Sequence, residues 1–122
     1  MESPHKGKTG FKRLVNAFRY SCAGLREAYR NEDAFRQEIL LALVLLPAAF
    51  WLEPTMVGRA LMIGCVFLVI IVELLNSAVE ATVDRISLDD HNLAKRAKDI
   101  GSAAVLVSLV NLAVVWMLVL SN

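Results

Sequence analysis

Residues 73–85 of this chain read Glu73-Leu74-Leu75-Asn76-Ser77-Ala78-Val79-Glu80-Ala81-Thr82-Val83-Asp84-Arg85. At about 100° per residue, most of the polar side chains fall within an arc of about 100° on one side of a helix. They are Glu73, Asn76, Ser77, Glu80 and Asp84. An acid inside a membrane costs about 2.5 to 3.5 kcal/mol on insertion scales, so its presence indicates function. The pattern predicts a membrane helix with an apolar back and acids that face a protein interior.

The composition supports a membrane protein. The chain has 122 residues and is 57% hydrophobic, which is unusually apolar for a soluble domain of this size. We predict a single all-α membrane domain with spans at residues 34–52, 56–84 and 101–120. The third span is uncharged and long enough by itself to cross a bilayer. The first span reaches that length only if residues 34–38 continue the helix through the headgroup region.

An amphipathic helix is predicted over residues 11–30. Its apolar residues recur at helical spacing, and most of its basic residues lie off that stripe. The simplest interpretation is a helix at the membrane surface with its cations near anionic headgroups. A more specific interpretation adds that Arg13 reaches a polyphosphate.

The basic residues predict the orientation of the chain. Most of them precede or begin the first span, four follow the second, and Arg59 alone lies between these spans. Because cytoplasmic loops carry an excess of Lys and Arg, the N-terminus and the loop 85–98 should be cytoplasmic. The basic residues are Lys6, Lys8, Lys12, Arg13, Arg19, Arg26, Arg30, Arg36, Arg59, Arg85, Lys95, Arg96 and Lys98.

Depth in the membrane separates the roles of the acids. Glu80 and Asp84 lie at the cytoplasmic end of the second span, with Glu32 at the same face, and Glu73 lies about 10 Å deeper than Glu80. Carboxylates near the surface can hold Mg²⁺ together with substrate phosphates. A deeper acid in a low dielectric is a better acceptor of a hydroxyl proton. For Asp84, direct chemistry and an ion pair with a cation such as Arg85 or Lys98 are both open.

The stretch 73–85, His91 and the segment Ala97-Lys98-Asp99-Ile100-Gly101-Ser102-Ala103-Ala104 resemble the prokaryotic diacylglycerol kinase family. The resemblance extends to Gly10-Phe11, Tyr20-Ser21, Gly24-Leu25-Arg26 and Ala34-Phe35-Arg36-Gln37-Glu38, and therefore covers essentially the whole chain. It implies a homotrimeric lipid kinase of the bacterial inner membrane. Such an enzyme transfers the γ-phosphoryl group of ATP to the primary hydroxyl of diacylglycerol, and no nucleic acid takes part.

The resemblance also implies roles for individual residues. Glu73 is the expected general base, and Glu32 and Glu80 are the expected Mg²⁺ ligands. The residues expected around ATP are Arg13, Tyr20, Glu32, Glu80, Asp89, Asp90, His91, Lys98 and Asp99. The residues expected near the lipid substrate or supporting the site are Arg13, Arg36, Gln37, Glu38, Glu73, Asn76 and Ser102. For Arg36, Gln37 and Glu38, interfacial anchoring is an equally good explanation.

Three alternatives differ in the function they assign. Undecaprenol is another membrane alcohol that the same site could phosphorylate. A small proton-coupled transporter could use Glu73 as its intramembrane acid, but Glu80, Asp84 and the Lys98-Asp99 pair favour a phosphate site. A purely structural membrane protein would leave the acids on one face without a use.

Overall fold

The computed structural model describes residues 10–86 and 92–122, and all regular structure within them is helical. The four helices are α1 (Gly10–Asn31), α2 (Asp33–Leu52), α3 (Met56–Ile86) and α4 (Asn92–Leu120). The predicted all-α class is therefore confirmed. The stretch 85–98, which the sequence predicts as a loop, is helical at its first two residues and again from Asn92. Of the polar residues in this stretch, Arg85 lies in the last turn of α3, and Lys95, Arg96 and Lys98 lie in the first turns of α4.

Helices α2, α3 and α4 are long and apolar enough to cross a membrane. They belong to one compact unit, Glu32–Asn122, whereas α1 belongs to a separate unit that ends at Asn31. Large apolar side chains of α1, such as Phe11 and Phe18, are exposed. That exposure is expected of an amphipathic helix, and its position at a membrane surface stays a prediction.

Helix α3 packs against both α2 and α4. Ala42 and Ala49 of α2 are buried in the same cluster as Met62 and Val66 of α3. Small alanine side chains allow the two helix backbones to approach closely. On the other side, Trp116 of α4 joins the cluster, and its indole Nε1 donates a hydrogen bond of 3.1 Å to the Met62 carbonyl. The central position of α3 buries Glu73 and Asn76 of its polar face.

The turn between α2 and α3 is closed by Arg59. Its side chain donates hydrogen bonds to the carbonyl oxygens of Glu53 at 2.6 Å and Phe50 at 3.0 Å. These bonds satisfy carbonyls at the end of α2, where the helix itself supplies no donor. At the start of α3, the Thr55 hydroxyl accepts a bond of 3.1 Å from the Gly58 amide, as an N-cap does. The turn sets where α3 begins relative to α2.

Candidate functional site

The polar face of α3 begins at Glu73, which is buried with 4% of its surface exposed. Asn76, one turn later, is buried to a similar degree at 9%. Ser77 and Glu80 are half-buried, and Asp84 is exposed. Exposure therefore increases along the helix from Glu73 toward its C-terminal end. The depths of the acids in the membrane stay a prediction.

Glu32 lies immediately before α2, at the N-cap position. Partial burial and the nearby Glu80 carboxylate raise the pKa of the Glu32 carboxyl above its ordinary value of 4.5, while the Ser77 hydroxyl opposes part of this rise. Since the electrostatic effect requires proximity, the start of α2 brings Glu32 close to the polar face of α3. Two carboxylates that are 48 residues apart in sequence thus become neighbours.

Glu38 occupies the next stretch of α2 and is half-buried. Its carboxylate, like those of Glu32 and Glu80, lies within electrostatic range of Glu73. Glu32, Glu38 and Glu80 therefore all lie close enough to Glu73 to interact with it electrostatically, where α2 packs against α3. Close to them, Arg36 forms an ion pair with Asp33 at the start of α2.

The ends of α3 and α4 are joined by an ion pair. Lys98 Nζ of α4 lies 2.5 Å from Asp84 Oδ1 of α3. Of the two cations that the sequence offers to Asp84, the structure therefore selects Lys98. One turn away on α4, Lys95 forms an ion pair of 2.9 Å with Asp99. Lys95 and Asp99 also help line an open depression of about 320 Å³ on α4, together with Asn92, Arg96, Ile100 and Ala103.

The Asn76 carboxamide connects the deeper and outer parts of the α3 face. Its Nδ2 donates a hydrogen bond of 3.4 Å to Glu80 Oε1. Its Oδ1 is buried and accepts no hydrogen bond from the residues that the structure describes. Gly101 of α4 lies directly against this oxygen. The sequence alone places Asn76 on the polar face but does not reveal this contact with α4.

The structure does not bring all the predicted site residues together. Arg13 and Tyr20 lie on α1, which belongs to the separate compact unit that ends at Asn31. Asp89, Asp90 and His91 lie outside the described residues. Gln37 and Ser102 are exposed on α2 and α4.

The structure points to two further residues, Ser77 and Gly101, to which the sequence assigns no role in the site. Ser77 lies on the predicted polar arc by its helical spacing from Glu73 and Glu80. Its buried hydroxyl lies near Glu32 but forms no hydrogen bond of normal geometry with the residues that the structure describes. In the sequence, Gly101 is only part of the family-like segment 97–104, and nothing there indicates that it meets Asn76.

No cluster of three or more His, Cys, Asp or Glu suited to a metal ion occurs among residues 10–86 and 92–122. Within the described part of the chain, Glu32 and Glu80 can therefore provide two carboxylate ligands, without a third acid, His or Cys placed to share the same metal ion. Such a pair suits a cation that takes its remaining ligands from water and phosphate rather than from the protein.

Comparison with known proteins shows that the chain is similar to bacterial diacylglycerol kinases. The family model described as prokaryotic diacylglycerol kinase matches residues 19–120. A diacylglycerol kinase of Pseudomonas aeruginosa is 56% identical over 118 residues, covering 97% of this chain and 96% of its own length. A diacylglycerol kinase of Escherichia coli is 49% identical over 92% of both chains. A diacylglycerol kinase of Helicobacter pylori is 44% identical, over 94% of this chain and 89% of its own length.

The matched region contains α2, α3 and α4, and with them every residue of the acidic face and its ion pair. The resemblance that the sequence motifs indicated is therefore confirmed over most of the chain. The chain has three helices long enough to span a membrane, and it is 56%, 49% and 44% identical to the three diacylglycerol kinases above. It therefore belongs to the prokaryotic diacylglycerol kinase family.

Proposed function

We propose that the protein transfers the γ-phosphoryl group of ATP to the primary hydroxyl of diacylglycerol and releases phosphatidic acid and ADP. The family assignment supports a membrane lipid kinase, and the names of the relatives support diacylglycerol as the acceptor. The observation that carries the proposal is the arrangement of acids on α3. A buried Glu73 lies below a half-buried Glu80, which itself neighbours Glu32.

Glu73 acts as the general base in this proposal. Its burial suits contact with a hydroxyl that approaches from the membrane, whereas a water-exposed acid would meet mostly solvent. The lipid hydroxyl loses its proton to Glu73 as its oxygen forms a bond with the γ-phosphorus. The bond from that phosphorus to the ADP oxygen breaks, and the Glu73 proton later passes to water.

Glu32 and Glu80 fit the role of Mg²⁺ ligands. Burial and, after it, the nearby Glu80 carboxylate raise the pKa of the Glu32 carboxyl, and a bound cation would relieve the repulsion between the two carboxylates. Mg²⁺ commonly uses one or two carboxylates plus phosphate oxygens, so the pair is sufficient. When bound, the ion neutralises the negative charge of the β- and γ-phosphates.

The remaining site residues are assigned by their charge and by the family resemblance. Lys98 and Arg13 would add positive charge near the phosphates, with Tyr20, Asp89, Asp90, His91 and Asp99 around the nucleotide. Arg36, Gln37, Glu38 and Ser102 would contact or support the lipid. The Asp84–Lys98 ion pair would hold the Lys98 ammonium at the cytoplasmic end of α3.

We also propose that the active form is a homotrimer in the bacterial inner membrane, with a cytoplasmic N-terminus. Three helices are few to enclose both a lipid and a nucleotide. Many large apolar side chains of α2, α3 and α4 are exposed in the single chain and are available to lipid or to other subunits. The distribution of basic residues supports the orientation.

The test is an assay of purified protein in detergent–lipid micelles with γ-labelled ATP, Mg²⁺ and either diacylglycerol or undecaprenol. We expect label in phosphatidic acid. If only undecaprenyl phosphate is labelled, undecaprenol takes the place of diacylglycerol as the acceptor, and the proposed phosphoryl-transfer mechanism is unchanged. No labelled lipid from either alcohol would contradict the kinase proposal, and a Glu73→Gln protein provides the blank for contaminating kinases.

A further inference from the structure

The side-chain amide of Asn76 contacts Glu80 through its nitrogen and Gly101 through its oxygen. On one end, Nδ2 donates to Glu80 Oε1. On the other end, Oδ1 faces Gly101, and a Cβ atom built on Gly101 would overlap that oxygen and lie 3.2 Å from Asn76 Cγ. The amide therefore occupies the space where any other residue at position 101 would carry its side chain.

The chemistry of Glu80 determines which way the amide points. An ionised carboxylate only accepts hydrogen bonds, so the NH₂ group must face it. The carbonyl oxygen of the amide then has to point toward α4. A flipped amide would set Oδ1 against a carboxylate oxygen, and Glu80 would lose its hydrogen-bond donor.

The bond between Asn76 and Glu80 tolerates little movement. At 3.4 Å it is already at the long end of the range for a hydrogen bond. If a side chain at position 101 displaced the amide, the same movement would carry Nδ2 away from Glu80. Glu80 would lose the contact that orients it, although nothing near Glu80 itself had changed.

We infer that Gly101 is a positioning residue of the phosphoryl-transfer site, because its missing side chain lets Asn76 orient the Glu80 carboxylate for a divalent cation. This inference rests on the proposed role of Glu80 as a metal ligand. Gly101 has no contact with the metal or the substrates in this scheme and acts only through Asn76. Groups that orient metal ligands in this way typically change metal affinity 10- to 100-fold when removed.

Gly101→Ala is the direct test, and Gly64→Ala is its matched control. Gly64 lies within α3, and a Cβ there would meet nothing within 4 Å. The full-length protein is prepared in detergent micelles, and Mn²⁺ replaces Mg²⁺ as the spectroscopic probe. Electron paramagnetic resonance of free Mn²⁺ gives the dissociation constant in the presence of a non-hydrolysable ATP analogue.

For Gly101→Ala we expect about 10- to 100-fold weaker Mn²⁺ binding and a matching rise in the Mg²⁺ concentration for half-maximal activity. The KM for diacylglycerol should stay at the wild-type value. Gly64→Ala should resemble wild type in all three measurements. Wild-type Mn²⁺ affinity in Gly101→Ala would overturn the inference.

A double-mutant cycle separates positioning from simple helix packing. Asn76→Ala removes the amide that collides with a side chain at position 101. Adding Gly101→Ala to Asn76→Ala should therefore weaken Mn²⁺ binding no further. An equal loss in both backgrounds would show that Gly101 acts through helix packing and would overturn the inference. If Gly101→Ala alone fails to fold, recovery of folded protein in the double variant supports the collision with Asn76, and failure of the double variant contradicts it.

Glu80→Gln distinguishes this inference from the proposed function. If Glu80→Gln binds Mn²⁺ like wild type, the proposed ligand role of Glu80 fails. If Glu80→Gln loses Mn²⁺ but Gly101→Ala does not, the ligand role stands and the positioning role of Gly101 is wrong.

Discussion

At the scale of single residues, Glu73 carries the largest expected effect. Glu73→Gln preserves size and hydrogen-bonding capacity but removes the proton acceptor, so kcat should fall about 10²- to 10⁴-fold. Binding of Mn²⁺ and the ATP analogue should persist, since Glu32 and Glu80 are unchanged. The measurement is the rate of labelled phosphatidic acid formation at saturating substrates. Glu27→Gln, an exposed acid on α1, is the control. A kcat within about twofold of wild type in Glu73→Gln would exclude the base role.

Glu32 gives a pH-dependent prediction for the metal-free protein. Burial and Glu80 raise the pKa of Glu32 above 4.5, so the folded state disfavours its charged form. At neutral pH this carboxylate lowers stability, and the penalty disappears as pH falls through the folded-state pKa toward 4.5. Glu32→Gln should therefore unfold at a higher temperature than wild type at pH 7, and at a similar temperature near pH 4. Thermal unfolding in the presence of a chelator measures the difference in unfolding temperature between Glu32→Gln and wild type. The same difference at pH 7 and at pH 4 would refute the prediction.

At the scale of helices, the ion pair between α3 and α4 tests the role of Asp84. Both side chains are about half exposed, so the pair should contribute little to stability. Asp84→Asn should leave the unfolding temperature nearly unchanged and raise the KM for ATP several-fold, because the Lys98 ammonium is no longer held in place. Arg85→Gln changes the adjacent charge and should alter neither quantity. A wild-type KM for ATP in Asp84→Asn would limit Asp84 to anchoring the helix end.

The turn between α2 and α3 should contribute to stability rather than to chemistry. Arg59 donates hydrogen bonds to two carbonyls and lies 5.5 Å from the centre of the Phe50 ring. Arg59→Met removes these contacts, and the expected loss is about 1 to 3 kcal/mol of unfolding free energy. Thermal or denaturant unfolding in micelles measures it, with Arg26→Met on α1 as the control. Equal stability of both variants would show that water replaces Arg59 at these carbonyls.

At the scale of the whole molecule, the single chain leaves many large apolar side chains of its membrane helices exposed. We expect these faces to meet other subunits as well as lipid, and the family resemblance implies three copies. Native mass spectrometry of protein released from micelles should show a trimer as the main species. A fully active monomer would contradict the proposal that the active form is a homotrimer.

Much of the fold and part of the site were predictable from the sequence. Helical periodicity and the cost of acids in a membrane placed Glu73, Asn76 and Glu80 on one protected face, because both arguments depend only on residue spacing and polarity. The proximity of Glu32 to Glu80 was harder to predict, since it depends on how α2 packs against α3. The contact of Gly101 with Asn76 was not predictable, because the absence of a side chain carries no information about its neighbour.

Three properties of this protein can be read from its residues alone: it has helices that can span a membrane, the acids of α3 share one face, and the chain belongs to the prokaryotic diacylglycerol kinase family. These properties follow from local hydrophobicity, from helix geometry and from the motif residues. Three contacts become visible only in the folded chain: Asp84 pairs with Lys98, Glu32 lies near Glu80, and the Asn76 amide lies against Gly101. Those contacts depend on the relative position of helices, which is set by packing between residues distant in the chain.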